Sequence, residues 1–286
     1  MDLDACLRRL GLSHPGPPSV AALRTVHRAM VERVAYENID IYRGRPEPPL
    51  DVDASAARIA SGRGGFCYHV NATLGGLLDA LGYTVVRHIG GVYGRDEEPV
   101  GASGNHLALT VSGLPAPQCP DGVWLVDAGL GDGPHEPLPL REGVYRQGPF
   151  TYGLGPSRVI PGGWHFTHDA EYGSFRGFDF RDGPAAPEEF EETSRFLTYS
   201  AESPFRRQLT VQRRDAGGVD VLRGCVYTRI DGEGRRSHTL HGSGEWFAFL
   251  RERFGLTLSY LDIAERAELW RKVRAQHEEW AATHPS

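Results

Sequence analysis

Apolar residues recur at helical spacing through the first third of the chain and at strand spacing through much of the rest. Leu23, Val26, Met30 and Val34 fall three or four apart behind Pro17-Pro18-Ser19, a stop followed by an N-cap, which predicts a helix from Val20 to Arg33. Shorter helices are predicted over 4–10 and 53–60, with Pro46 to Pro49 as a loop between them. Gly62, Gly64 and Gly65 then break the chain, and helix is predicted again from Asn71 to Leu81, closed by Gly82. From Tyr83 the period changes. Strands are predicted over 84–88, 106–111, 123–126 and 157–166, with loops over 115–122 and 131–139. Further strands are expected over 209–212, 220–230 and 237–240, with Asp231-Gly232-Glu233-Gly234 as a hairpin turn, and helices over 245–254 and 263–282. Helices first, short strands next and a mixed end describe an α+β fold with an antiparallel sheet or barrel, and there is no internal repeat.

Composition narrows the classes. The 286 residues are 40% hydrophobic and 24% charged, with a formal charge of −6, which argues against nucleic acid as a partner. No apolar run is long enough for a bilayer, and the acidic start Met1-Asp2-Leu3-Asp4 lacks a signal-peptide profile, so no membrane association and a cytoplasmic location are expected. The four cysteines, Cys6, Cys67, Cys119 and Cys225, form no C-x-x-C pair and fit no zinc spacing; no metal is expected, and in a reducing compartment they stay thiols.

Candidate chemistry centres on Arg63-Gly64-Gly65-Phe66-Cys67-Tyr68-His69-Val70-Asn71, where a glycine-rich turn delivers a cysteine to a helix start. The unpaired N–H groups and dipole of a helix N-terminus favour a thiolate and can hold the oxyanion of a tetrahedral intermediate. Alone, such a cysteine is more often a small buried apolar residue. Two later segments change the weighing. Gly104-Asn105-His106 puts a histidine at the mouth of an apolar strand, and Val123-Trp124-Leu125-Val126-Asp127 ends another with a carboxylate. An imidazole that takes the thiol proton and a carboxylate that fixes its tautomer complete a nucleophilic triad.

These stretches, R-G-G-F-C-Y-H-V-N, G-N-H-L and V-D-A-G-L-G, resemble the arylamine N-acetyltransferase family. So do the opening residues 1–11, Tyr36-Glu37-Asn38-Ile39, Ile89-Gly90-Gly91-Val92-Tyr93 and Ser203-Pro204-Phe205, in order along nearly the whole chain. The resemblance implies an N-terminal helical bundle over 1–85 carrying the nucleophile, a central antiparallel β-barrel over 86–200 carrying His and Asp, and a C-terminal α/β lid over 201–286, around a papain-like Cys-His-Asp core. It implies no bound cofactor, acetyl-CoA as co-substrate, and a ping-pong route. In that route Cys67 takes the acetyl group, with His106 as base and Asp127 as orienter, and passes it to a small-molecule arylamine or hydrazine. It places Ser103, Gly104 and Ser203 at CoA, and Phe66, Tyr68, His69 and Leu130 at the acceptor. Arg9, Glu37 and Arg63 map to an ion network under the active-site loop.

The chain departs from the family pattern at several positions. His69 stands where Glu or Gln is usual, introducing a group that titrates near neutrality. Leu130 replaces an aromatic residue in the acceptor wall, and Ala35-Tyr36 replaces Pro-Phe. These changes leave open an amide synthase on the same scaffold, releasing or cyclising a polyketide chain from an acyl carrier protein. The triad taken by itself also fits a thiol hydrolase. A metal site on Cys67, His69 and His106 would compete for groups that already have roles.

Overall fold

Capping and apolar periodicity set the helices of the first third. The computed structural model describes residues 1–45 and 51–283, so the loop expected over 46–49 lies outside the described residues. The segment contains α1 (Leu3–Arg9), α2 (Val20–Arg33), β1 (Tyr36–Glu37), α3 (Ile39–Arg43), α4 (Val52–Ala60) and α5 (Cys67–Ala80). Ser19 caps α2, its hydroxyl accepting the Ala22 N–H at 3.2 Å, and Leu23, Val26 and Met30 are fully buried. Helix α5 begins at Cys67, four residues before the predicted start. It is buried on every side from Cys67 to Leu78, so no polar face marks its first turn. It packs closely on α4: a side chain at Gly76 would put its Cβ 2.2 Å from Val52 Cγ1.

The middle of the chain supplies β2 (Thr84–Tyr93), β3 (His106–Ser112), β4 (Trp124–Leu125), β5 (Leu138–Pro139), β6 (Gly143–Gln147), β7 (Phe150–Pro156), β8 (Trp164–Thr167) and β9 (Gly177–Phe180). All neighbours are antiparallel, in the order β5-β4-β3-β2-β9-β8-β7-β6, and the sheet curls into a nearly closed barrel. The α+β class is the one the sequence predicts. Leu74, Leu77 and Leu78 of α5 share a core with Ile89, Leu109, Val111 and Trp124 of the barrel. Truncating any one of these leucines to alanine costs about 2–5 kcal/mol. The strand predicted over 157–166 is instead a reversal. Ser157 Oγ accepts the N–H groups of Val159 (3.1 Å) and Ile160 (2.9 Å) and donates to Asp179 at 2.6 Å, drawing the backbone out of the sheet until Trp164.

A 3₁₀ turn (Pro187–Phe190), α6 (Glu191–Tyr199) and α7 (Pro204–Arg207) lead to β10 (Thr210–Arg214), β11 (Gly218–Arg223), β12 (Val226–Asp231), β13 (Gly234–Thr239), α8 (Ser243–Phe254) and α9 (Ile263–Thr283). The strand predicted over 220–230 divides at Gly224, whose φ of 57° turns the chain where the apolar Cys225 reads as more strand. The second sheet runs β1-β10-β11-β12-β13, so a two-residue strand from the N-terminal third closes a sheet of the C-terminal third. Asn38 secures that junction, donating to the carbonyls of Phe205 (2.9 Å) and Gln208 (2.7 Å) and accepting from Thr210 N–H (2.8 Å). Among the described residues no helix is long and apolar enough to cross a membrane.

Candidate active site

Three predicted residues from three separate stretches meet where α5 abuts the barrel. Cys67 is the first residue of α5, a helix with no side-chain cap, and is 4% exposed. Its Sγ lies 3.5 Å from the carbonyl of Asn105, and Cys67 and His106 face the same cleft. His106 opens β3, and its Nε2 stands 2.6 Å from Asp127 Oδ2, just beyond β4. A carboxylate only accepts, so Nε2 carries the hydrogen and Nδ1 is the nitrogen left for the thiol. Burial alone would press the imidazole pKa down. The Asp127 charge and hydrogen bond, followed by the Cys67 sulfur, overcome it and raise the ring to about 10.

The carboxylate is held by a residue the sequence reading did not single out. Asn71 Nδ2 donates to Asp127 Oδ1 and to the Leu107 carbonyl, both at 2.7 Å, and Asn71 Oδ1 accepts the Ala128 N–H at 3.0 Å. Asp127 Oδ1 also accepts the Gly129 N–H at 3.0 Å. The available signal was spacing: Asn71 follows Cys67 by four residues and shares its helix face. Gly129 must lack a side chain, because a Cβ there would lie 2.9 Å from Cys67 Cα. Asn105, next to the histidine, is locked by a reciprocal pair with Val92, accepting from its N–H at 2.7 Å and donating to its carbonyl at 2.9 Å.

Cys67 and His106 line a cleft of about 300 Å³, walled by Tyr36, Leu130, Phe175, Phe205 and Gln212. Of the four residues assigned to the acceptor, Leu130 lines it. Phe66, Tyr68 and His69 do not reach it: they are fully buried, and the Phe66 ring packs on both of the others. His69 is not a group that titrates near neutrality. Burial first, then the charges of Arg58 and Arg63, lower it to about 3, so the ring is neutral. Ser103, Gly104 and Ser203 also lie off the cleft lining. The Ser203 hydroxyl is committed to the Leu197 carbonyl at 2.6 Å and to capping Phe205 N–H, while Ser103 is exposed.

The ion network under the nucleophile's loop differs from the expected one. Glu37 pairs with Arg58 at 2.8 Å, Asp40 contacts both Arg58 and Arg63, and Arg58 Nε donates to the Gly64 carbonyl at 2.7 Å. Arg9 is not part of it. Its Nε and Nη2 have no hydrogen-bond partner among the described residues, and burial, then Arg213 and Arg33, lower its pKa. Among the described residues no three His, Cys, Asp or Glu side chains stand together to hold a metal ion.

A larger groove of about 390 Å³ adjoins the cleft, and Ser174 lines both. Arg95, Arg223 and Arg235 edge it, with Trp280 stacked on His277 (centroids 5.9 Å apart) at one end. Arg95 and Arg235 donate to carbonyls of the 170–173 loop, at 2.8 Å to Gly173 and 2.9 Å to Glu171. Buried Asp132 anchors the end of that loop through the Ser174 N–H (2.7 Å) and hydroxyl (3.0 Å).

A family model described as N-acetyltransferase matches residues 19–263. An arylamine N-acetyltransferase of Mycolicibacterium smegmatis is 35% identical over 135 residues, 46% of this chain and about half (47%) of that protein. The arylamine N-acetyltransferase / N-hydroxyarylamine O-acetyltransferase of Salmonella typhimurium is 26% identical over 262 residues, 89% of this chain and 88% of that one. Among solved structures, the arylamine N-acetyltransferase of Mycobacterium abscessus superimposes with a TM-score of 0.79 at 27% identity, covering 96% of this chain and 95% of that one. The Mycobacterium marinum enzyme in complex with CoA does so with a TM-score of 0.82 at 25% identity, covering 95% and 98%.

Proposed function

The chain belongs to the arylamine N-acetyltransferase family, and we propose that it moves an acetyl group from acetyl-CoA through a Cys67 thioester to the nitrogen of an arylamine or hydrazine. The observation that carries this reading is the buried line from Cys67 through His106 to Asp127, with a 2.6 Å histidine–carboxylate contact. In the first half-reaction the His106 ring, raised to about 10, holds on Nδ1 the proton taken from the thiol while the sulfur attacks the thioester carbonyl. The N–H groups at the uncapped start of α5 face the developing oxyanion. The carbon–sulfur bond to CoA then breaks, and the departing sulfur takes the proton from His106. In the second half-reaction the amine attacks the acetyl-cysteine carbonyl, gives a proton to His106, and Cys67 leaves.

Residues 1–85 thus supply the nucleophile, 86–200 the base and its carboxylate, and 201–286 one wall of the cleft. The arginine-edged groove suits the phosphates and adenine of the donor: three guanidinium groups gather there on a chain of net charge −6, and the Trp280–His277 pair offers a ring face. A similar protein, from Mycobacterium marinum, has been solved in complex with CoA.

Intact-mass measurement after mixing with acetyl-CoA tests the reading. One acetyl group on the wild type and none on Cys67→Ala is the expected result. Acetylation persisting in Cys67→Ala would overturn the assignment.

A further inference from the structure

The acyl-transfer chemistry makes no use of one polar wall of the Cys67 cleft. Tyr36 and Gln212 are register partners across β1 and β10, so their side chains stand side by side on one face, and both line the cleft with Cys67 and His106. Gln212 is 4% exposed, and its Nε2 is buried with no hydrogen-bond partner among the described residues. A buried amide left without a protein partner calls for one from elsewhere. Burial, then the Cys67 sulfur and the Asp132 and Glu37 carboxylates, push the Tyr36 hydroxyl well above its ordinary pKa, so it stays protonated and can donate. Leu130, Phe175 and Phe205 make the rest of the wall apolar. Glu97 is the one carboxylate at the cleft, and no arginine or lysine lines it among the described residues.

We propose that the acceptor taken by this cleft is an arylamine whose ring carries a neutral hydrogen-bonding group, a hydroxyl or a carboxamide, seated on Tyr36 and Gln212. The proposal rests on the acyl-enzyme reading above and names the substrate class for its second half. Whichever way the Gln212 amide is turned, it presents a donor and an acceptor, and a hydroxyl or carboxamide answers both. A methyl group answers neither and leaves the amide unsatisfied. A carboxylate accepts but does not donate, and it would meet Glu97 with no lining arginine or lysine to offset the repulsion, the His106 ring being already paired with Asp127. The polar wall comes from this chain's own residues, since Tyr36 is one of its departures from the family pattern.

The test compares kcat/KM for a hydroxyaniline against the matching toluidine, and for an aminobenzamide against the matching aminobenzoate, with acetyl-CoA as donor. Ring substituents alter amine basicity, but equally for every variant, so the readout is the polar-to-apolar ratio in each variant relative to wild type. Tyr36→Phe, Gln212→Leu and Gln212→Met are each expected to lower that ratio about tenfold. Acetylation of Cys67 without amine, read by intact mass, is expected to change less than the ratio does. Tyr36→Phe removes one oxygen and decides the matter if the Gln212 variants fail to fold. A ratio unmoved by Tyr36→Phe, a wild-type preference for aminobenzoate over aminobenzamide, or a loss confined to Cys67 acetylation would each overturn the assignment. A wild type that never carries acetyl on Cys67 would instead sink the acyl-enzyme reading.

Discussion

The cleft at Cys67 and the groove beside it share Ser174 but are built in opposite ways. Around the cleft, His106, Asp127 and Asn71 are each at most 2% exposed and are fixed by bonds of 2.6–3.0 Å. The groove's three arginines are exposed, and two of them rest on loop carbonyls. A reacting sulfur needs its base held within tenths of an ångström in a dry setting. A charged handle on a long substrate needs only an attractive field, which long flexible cations provide in water.

If that division is right, damage in the two regions has different signatures. The largest expected effect is at Asp127→Asn, which lowers kcat by about 10⁴-fold by spoiling the imidazole tautomer, while acetyl-CoA binding by calorimetry persists. Near-normal turnover in that variant would break the comparison at its centre. Next is the floor beneath the nucleophile. Arg58→Met leaves Glu37 buried and unpaired, and is expected to cost about 3–5 kcal/mol in urea unfolding; a loss below 1 kcal/mol on that scale would mean water reaches the pair. In the groove, Arg223→Ala is expected to raise the KM for acetyl-CoA about tenfold and to change the rate with p-nitrophenyl acetate, which has no nucleotide, far less. Equal losses with both donors would remove the groove from donor binding.

The smallest effect is a pH slope. His69 is ordinarily near 6.5 and is held at about 3 by burial, so below pH 6.5 the unfolded chain binds a proton that the folded chain refuses. Its contribution to stability is present above 6.5 and is lost as pH falls toward 3. His69→Gln is expected to flatten that acid limb by about 1.4 kcal/mol per pH unit. An unchanged slope would show that the ring is protonated in place.

The contrast also explains what could be read from the residues alone. Cys67, His106 and Asp127 each sit at the edge of an element, marked by local glycines, an asparagine or a run of apolar residues, so pattern reading reaches them. Tyr36 and Gln212 become neighbours only through pairing between strands that sets them together from 176 positions apart in the chain, which no local periodicity records. The same limit hid Arg58 as the partner of Glu37, since a helical arginine on an amphipathic stretch reads as solvated until the fold buries it. The missed reversal at Ser157 and the split at Gly224 have a different cause: apolar residues in a turn keep the composition of a strand.

The Asn71 amide contacts an oxygen of Asp127, a carbonyl of β3 and a backbone N–H beyond β4, so it joins the segment bearing the sulfur to both segments bearing its activators. While the chain is being synthesised, residue 67 emerges before residues 106 and 127, and during that interval its sulfur has neither of them beside it. On the acyl-enzyme reading, reactivity would switch on only when the bundle docks against the completed barrel. The speed of alkylation at this one atom would then serve as a clock for the final stage of assembly.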